Sequence, residues 1–250
     1  MSGSAGITEK IRQKARELNI DLIGAIPSEW MDEFAGMEVN WDRWGTMKSP
    51  RDYLPDARSV VVVAEAAFGP TIDLAVKRRG GWNYVGYKPL ELDTWEIGSY
   101  LHSLGYQAEV FPSHLSQKNM ARLAGMGSFG KNTLLLNPDV GPYLRIDGIV
   151  TDAPLEYDEP VEADLCGSCE RCLHACPTGA LEPYEIEAEK CLVHQRLQGP
   201  DDVRYAGLLE QYSPRLASGA YIMCQRCQQV CPVGGIPPWE RDGTTDQVSH

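Results

Sequence analysis

The segment CGSCERCLHACP, Cys166–Pro177, sets four cysteines in the pattern C-x2-C-x2-C-x3-C, with a proline after the last. A second segment, CQRCQQVCP, Cys224–Pro232, repeats the pattern one cysteine short. Between them Cys191 stands alone. Thiolates at i, i+3 and i+6 can wrap three corners of an iron–sulfur cubane. In the ferredoxin run the fourth cysteine, which leads into a proline, ligates the other cluster. The spacing therefore assigns one [4Fe–4S] cluster to Cys166, Cys169, Cys172 and Cys231. The other falls to Cys176, Cys191, Cys224 and Cys227, with Cys191 supplying the thiolate that the short run lacks. The chain has 8 cysteines, so the two sets leave none over. Two zinc sites of four thiolates each remain an alternative, although zinc ligands usually come as separated C-x2-C pairs. Disulfides are a third, disfavoured in a reducing compartment. His174 and His194 lie near the runs, and neither is needed as a ligand.

The chain has 250 residues and a net charge of −12, with 43% hydrophobic residues. This is the composition of an ordinary globular protein with room for a substantial core. No run approaches the length of a membrane helix, and MSGSAGITEKIRQKAREL at the N-terminus has no apolar secretory core. The expectation is a cytoplasmic protein that does not engage membranes. The acidic balance argues against general nucleic-acid binding, which needs a basic surface to displace counterions. The one basic cluster, Lys77–Gly81, reads as a solvated loop.

Ile7, Ile11, Ala15 and Leu18 share a helical face, with Thr8 as a candidate N-cap. DLIGAI and Ser59–Ala67 read as buried strands, separated by a Trp- and Met-rich loop from Trp30 to Trp44. A helix over Asp93–Leu104 ends at Gly105. YQAEVF, TLLLN and YLRIDGIVTD read as strands, and SQKNMARLA as a helix. Alternation of helices and strands to residue 150 predicts an α/β or α+β layer domain. Beyond it APLEYDEPVEAD reads as an acidic linker, after which the strand patterns stop. The expected division is residues 1–160 and residues 161–250. Some 150 residues are far more than two clusters need, so the first part is expected to bind whatever the clusters serve. AGMGSFGKNTLLLN is glycine-dense, which suits either a structural turn or close backbone approach to a ligand. It is a poor phosphate motif.

In order, AGMGSFGKNTLLL, GPYLRIDGIVTDAPLE, CGSCERCLHACPTGAL and CQRCQQVCP resemble the superfamily of epoxyqueuosine reductases and reductive dehalogenases. The resemblance is good from about Gly105 to Gly234. It implies an α+β fold, with a nitroreductase-like domain carrying cobalamin and a ferredoxin-like module carrying two [4Fe–4S] clusters. The cluster of Cys176 and Cys191 would sit beside the corrinoid. Tyr106, Ser113, Gly127, Ser128, Phe129, Lys131, Asn132 and Arg145 are the corrinoid contacts it suggests. FGKN looks like the epoxyqueuosine reductase branch; LGYQA and GPYLR look like the dehalogenase branch.

Two departures matter. The proton-donating aspartate of epoxyqueuosine reductases has no counterpart, because Phe111 and Pro112 stand there and His114 is the nearest ionisable group. The chain also stops after the second cysteine run, so the expectation is a short member without the helical-repeat extension. A twin-arginine leader of the kind that respiratory dehalogenases carry is not expected before the domain. Dehalogenases use a tyrosine donor, for which Tyr84, Tyr87 and Tyr100 are available. The D-x-H-x-x-G signature of His-ligated cobalamin is absent, and His102 reads as a helix residue.

The expected function is a cobalamin-linked iron–sulfur reductase of a small molecule, fed by a low-potential donor such as ferredoxin or flavodoxin. A corrinoid-reducing or corrinoid-carrying accessory protein and a ferredoxin-like electron carrier are the alternatives. The best catalytic candidates are His114, Tyr84 and Tyr87.

Overall fold

Four consecutive valines, Val60–Val63, are each at most 1% exposed. A run buried on every residue requires cover on both faces of its sheet, where a half-solvated sheet would alternate. The computed structural model, which describes residues 3–38, 45–79, 81–198 and 203–234, provides that cover. In chain order the elements of the first part are α1 (Gly3–Leu18), β1 (Leu22–Pro27), β2 (Ser59–Ala66), β3 (Leu74–Arg78), β4 (Gly81–Tyr84), α2 (Lys88–Ser103), β5 (Ala108–Val110), α3 (Gln117–Leu123), β6 (Ser128–Phe129), β7 (Leu135–Leu136) and β8 (Leu144–Thr151). The cysteine-bearing part adds α4 (Arg171–Ala175), β9 (Leu181–Glu182), β10 (Glu185–Ile186), α5 (Leu192–Gln198), α6 (Ala206–Tyr212), β11 (Arg215–Ala217), β12 (Ala220–Ile222) and α7 (Arg226–Gln229).

The central sheet runs β1-β2-β8-β5 with every neighbour antiparallel. On one face Val61, Val63 and Ile149 pack with Ile11 and Ala15 of α1 and with Leu90, Ile97 and Leu101 of α2. On the other, Val60, Val62 and Ile146 pack with Met31, with Met120 and Leu123 of α3, and with Met126. Each fully buried valine contributes about 1.5–3 kcal/mol, so β2 anchors both cores. The fold is mixed α+β, with the cysteine-bearing part at its C-terminal end. No helix among the described residues is long and apolar enough to cross a membrane.

Thr8 is not an N-cap. The helix begins at Gly3, so the Thr8 hydroxyl lies inside it, donating to Ser4 O at 3.0 Å and accepting the Glu156 N–H at 2.8 Å. The second long helix starts at Lys88, five positions before the expected Asp93, because Pro89 suits a first turn. Gly105 follows it at φ +90°, the left-handed cap that glycine takes readily. The TLLLN strand shrinks to Leu135–Leu136. The basic cluster is not a loop throughout: Lys77 and Arg78 close β3, and the Lys77 ammonium lies 5.7 Å from the Trp82 ring centroid. Gly80 and the far end of the aromatic loop, Trp44, lie outside the described residues.

Strands do not stop after residue 160. The β11–β12 hairpin pairs with β3 to make a second sheet, β11-β12-β3-β4, drawn from both parts of the chain. The acidic segment before the cysteines is not a free linker either. Its Asp158 bonds the Arg12 guanidinium at 2.8 Å and accepts the Ala25 N–H at 2.9 Å, while Asp158 N–H donates to Ala25 O at 2.8 Å. Farther on, the Ser128 hydroxyl donates to Val161 O and accepts the Ala163 N–H. Polar partners along the β1 edge hold this segment without regular secondary structure.

Candidate functional site

The short helices α4 and α7 each begin inside a cysteine run. The first run brings Cys166 and Cys169, before α4, and Cys172, within it, around a hollow that Cys231 closes from beyond α7. Cys176, Cys191, Cys224 and Cys227 line a separate cavity of about 260 Å³. All eight thiols are unpaired, and only Cys172 is fully buried. Among the described residues no three His, Cys, Asp or Glu side chains converge on a single-ion site.

Electrostatics divide the thiols in the same way. Burial pushes the Cys172 thiol up, with Cys166 and Cys231 adding. Burial likewise raises Cys231, with Cys166 and Cys169 adding. In the other set burial raises Cys227 furthest, with Cys191, Cys224 and Cys176 adding and Cys172 a weaker neighbour. Thiolates that crowd one another in apolar surroundings need a cationic centre among them. The donor set therefore fits an iron–sulfur cluster in each group. Backbone donors reach the sulfurs as well: the Lys131 N–H points to Cys166 Sγ at 3.4 Å and the Ala180 N–H to Cys176 Sγ at 3.3 Å.

The loop GSFGKN, Gly127–Asn132, lies against both sets. Asn132 lines both the hollow and the cavity, and its amide donates to Cys227 O at 3.4 Å. Lys131, 9% exposed, directs its ammonium to Gly167 O at 2.9 Å. A Cβ at Gly127 would stand 2.3 Å from Leu136 O. The close approach that demands glycine is therefore to the chain's own strand. Ser128 anchors the acidic segment, and the Phe129 ring carries the Lys118 ammonium 6.0 Å from its centroid. Tyr106 packs against the core on the α1–α2 face, and Ser113 is exposed beside His114. Neither lines the cavity.

Beyond the thiols the cavity is bounded by Asp73, Tyr84, Lys118, Met223 and Gln228. Burial raises the Tyr84 hydroxyl, with the charges of Asp73 and Tyr87 adding, so it stays protonated. Burial lowers the Lys118 ammonium. Tyr87 stands 6.2 Å from Tyr84, ring to ring, and packs beneath the Arg145 guanidinium, away from the cavity wall. Arg145 pairs with Asp73 at 2.5 Å, and Gln225 donates to the same carboxylate at 2.7 Å. Of His114, Tyr84 and Tyr87, only Tyr84 lines the cavity. His114 sits instead in a loop pinned by Tyr53, whose hydroxyl accepts the His114 N–H at 2.9 Å. Sequence reading missed Asp73, Lys118 and Gln228. The first two look like ordinary surface charges in sequence, and only the fold carries them to the second thiol set.

One buried polar atom of a cavity-lining residue, Gln228 Oε1, has no hydrogen-bond partner among the described residues; Arg145 Nε has none either, but Arg145 does not line the cavity. An acceptor left open suits a ligand fringed with carboxamides, as a corrinoid is. The cavity itself is below the roughly 300–1,000 Å³ of ordinary ligand pockets. It takes a cluster and the edge of a ligand, not a whole macrocycle.

Residues 165–234 match the family described as a 4Fe-4S double cluster binding domain. Among curated proteins, an epoxyqueuosine reductase of Salmonella typhimurium is 28% identical over 90% of this chain and 64% of its own length. One of Synechococcus is 30% identical over 81% of this chain and 64% of its own. The chain thus spans a little under two thirds of the length of these relatives. A crystal structure of epoxyqueuosine reductase with an epoxyqueuosine-modified tRNA stem loop superposes with a TM-score of 0.69 at 25% identity, covering 92% of this chain and 65% of the other. A reductive dehalogenase structure described as suggesting a mechanism for B12-dependent dehalogenation shares the fold at a TM-score of 0.61 and 22% identity, over 92% of this chain and 32% of the other.

Proposed function

Since the chain belongs to the structural family of epoxyqueuosine reductases and reductive dehalogenases that carry a double 4Fe-4S domain, we propose that it is a cytoplasmic two-cluster iron–sulfur reductase acting with cobalamin on a small molecule. Electrons would enter at the set of Cys166, Cys169, Cys172 and Cys231 and leave through the set of Cys176, Cys191, Cys224 and Cys227. The observation that carries this reading is the cavity, where the second set of thiols meets Tyr84, Lys118 and Asp73 in one half-open space. Bound there, the clusters would relay single electrons and a cobalamin would supply a low-valent cobalt.

The protein's own residues do the rest. The Lys131 and Ala180 N–H groups donate to one sulfur in each set, which stabilises the reduced, more negative cluster. Asn132 ties the loop between the sets to the Cys227 carbonyl. Gln228 Oε1 offers an acceptor to the ligand's edge. Tyr84, protonated by its burial, holds a proton at Oη for a leaving group. The electron source would be a low-potential donor of the ferredoxin or flavodoxin class.

A second reading, reduction or carriage of a corrinoid for another protein, draws support from the loop where a catalytic carboxylate would stand. Phe111 and Pro112 occupy it, and Pro112 is buried. The test is the absorption spectrum of anaerobically reconstituted protein incubated with cobalamin and gel-filtered. About one retained cobalamin per chain supports both readings, and turnover of an organic substrate then separates them. A spectrum of clusters alone would reduce the protein to an electron carrier.

A further inference from the structure

The two thiol sets face different charge. No charged side chain lines the hollow of Cys166, Cys169, Cys172 and Cys231, whose remaining wall is Asn132, Leu136, Pro232 and Val233. Two cations, Lys118 and Arg226, line the cavity of the second set. Neither forms an ion pair with a carboxylate among the described residues. The carboxylate on the same wall, Asp73, is already paired with Arg145. Beside the hollow the charges are balanced: Asp164 Oδ1 accepts the N–H groups of Cys166 and Gly167, each at 3.0 Å, and the Lys131 ammonium lies on Gly167 O at 2.9 Å. Backbone donors do not separate the sets, since one N–H reaches a sulfur in each.

Lys118, on α3, is half-buried and held in place. Its ammonium donates to Thr133 O at 2.8 Å and stands 6.0 Å from the Phe129 ring centroid. Both holds come from the loop that runs between the thiol sets. Thr133 lies at φ +62°, a left-handed conformation that a β-branched residue rarely takes. Strain of that kind persists only where the surroundings fix it, and it clusters at functional sites. Here the strained residue gives its carbonyl to the ammonium. Burial lowers the Lys118 ammonium, and the Cys227 thiolate opposes that. Arg226 opens α7 between Cys224 and Cys227 and is exposed, so solvent and salt screen it more. Lys118 is therefore the stronger of the two cations at the second set.

We propose that Lys118 makes the second thiol set the electron sink of the pair, so that the cluster held by Cys176, Cys191, Cys224 and Cys227 has the higher reduction potential. The proposal rests on the two-cluster reading and gives its relay a direction. Cluster potentials follow local charge, hydrogen bonds to sulfur and exposure. The hydrogen bonds are common to both sets. Burial by itself would lower the potential, but it also thins the dielectric through which the ammonium acts. A fixed positive charge stabilises the reduced, more negative state. One electron moves: the hollow cluster is oxidised by one, the cavity cluster is reduced by one, and no atom is transferred.

Potentials of the reconstituted full chain test this. Iron and sulfide analysis comes first. A chain without sulfide would sink the two-cluster reading and the proposal with it; a chain with about eight iron leaves the proposal to stand or fall alone. A reductive titration followed by electron paramagnetic resonance then gives two midpoint potentials. Cys191→Ala, which leaves the hollow cluster, identifies them: the surviving cluster should have the lower potential. Lys118→Gln keeps a donor for Thr133 O and removes the charge. It should shift the one-electron equilibrium of the cavity cluster about tenfold toward the oxidised state, ~59 mV, and leave the other potential in place. Lys118→Arg should restore the parent's value, which a merely structural role would not require. The order of potentials in the parent and in Cys191→Ala is read with Lys118 intact, so it stands even if a Lys118 variant assembles poorly. A surviving cluster with the higher potential would overturn the proposal, as would a Lys118→Gln chain whose two potentials shift equally or not at all.

Discussion

Arg145→Met would cut the buried joint between the central sheet and the cysteine-bearing part. The Arg145 side chain is 6% exposed and that of Asp73 15%, and their atoms meet at 2.5 Å. Asp73 also receives Gln225, at the edge of the second cysteine run, and its own carbonyl accepts the Met223 N–H at 2.9 Å. Removing the guanidinium leaves a largely buried carboxylate with one neutral donor, and breaking such a pair costs about 3–5 kcal/mol. For a chain of this size each kcal/mol moves the melting temperature by roughly 2–4 °C, so a fall of roughly 6–20 °C is expected. The double variant Arg145→Met with Asp73→Leu removes both charges and should recover most of that loss, because an apolar pair of similar volume substitutes well for a buried ion pair. Circular dichroism melts of reconstituted protein at pH 7 give both numbers. A single variant within about 0.5 kcal/mol of the parent, or a double variant no better than the single, would refute the assignment of this pair as a buried joint.

Cys191→Ala should lower bound iron from about eight to about four per chain, because it strips one thiolate from the cavity set and none from the set of Cys166, Cys169, Cys172 and Cys231; equal loss of both clusters from a folded chain would contradict that division. Burial raises the Asp147 carboxyl to about 6, with Glu91 adding and the Gly148 N–H opposing. A raised carboxyl favours the folded state at low pH and loses that contribution as pH climbs through the folded value. Asp147→Asn should therefore gain on the parent by about 1–1.5 kcal/mol between pH 5 and pH 8, measured by denaturant titration at the two pH values. With Phe111 and Pro112 in place of a donor, whose contribution would be on the order of 10²–10⁴-fold, epoxyqueuosine in tRNA should be reduced negligibly, checked by mass spectrometry of digested tRNA. Efficient conversion that His114→Ala abolishes would show that His114 had taken the acid's role.

The cysteine runs were legible because ligand spacing is a local property. The two groups that the fold assembles, one around the hollow and one around the cavity, follow from it. The strands β2 and β8 were legible from continuous apolar runs, although their antiparallel pairing, 78 residues or more apart in places such as Ala66 and Leu144, was not. The glycines of the GSFGKN loop were visible and their purpose was not: a glycine at close quarters looks the same whether the neighbour is a ligand or, as at Gly127, the chain's own carbonyl. The acidic segment looked like a linker because its partners, Arg12, Ala25 and Ser128, are distant in sequence. For the same reason Asp73 and Lys118 carried no signal until β3 and α3 placed them beside Cys224 and Cys227.

The central claim is that each thiol group holds a four-iron cubane, and chemical analysis of anaerobically reconstituted protein tests it most directly. Eight thiolates in two sets of four predict about eight iron and eight acid-labile sulfide per chain. Two zinc per chain with no sulfide would contradict the account.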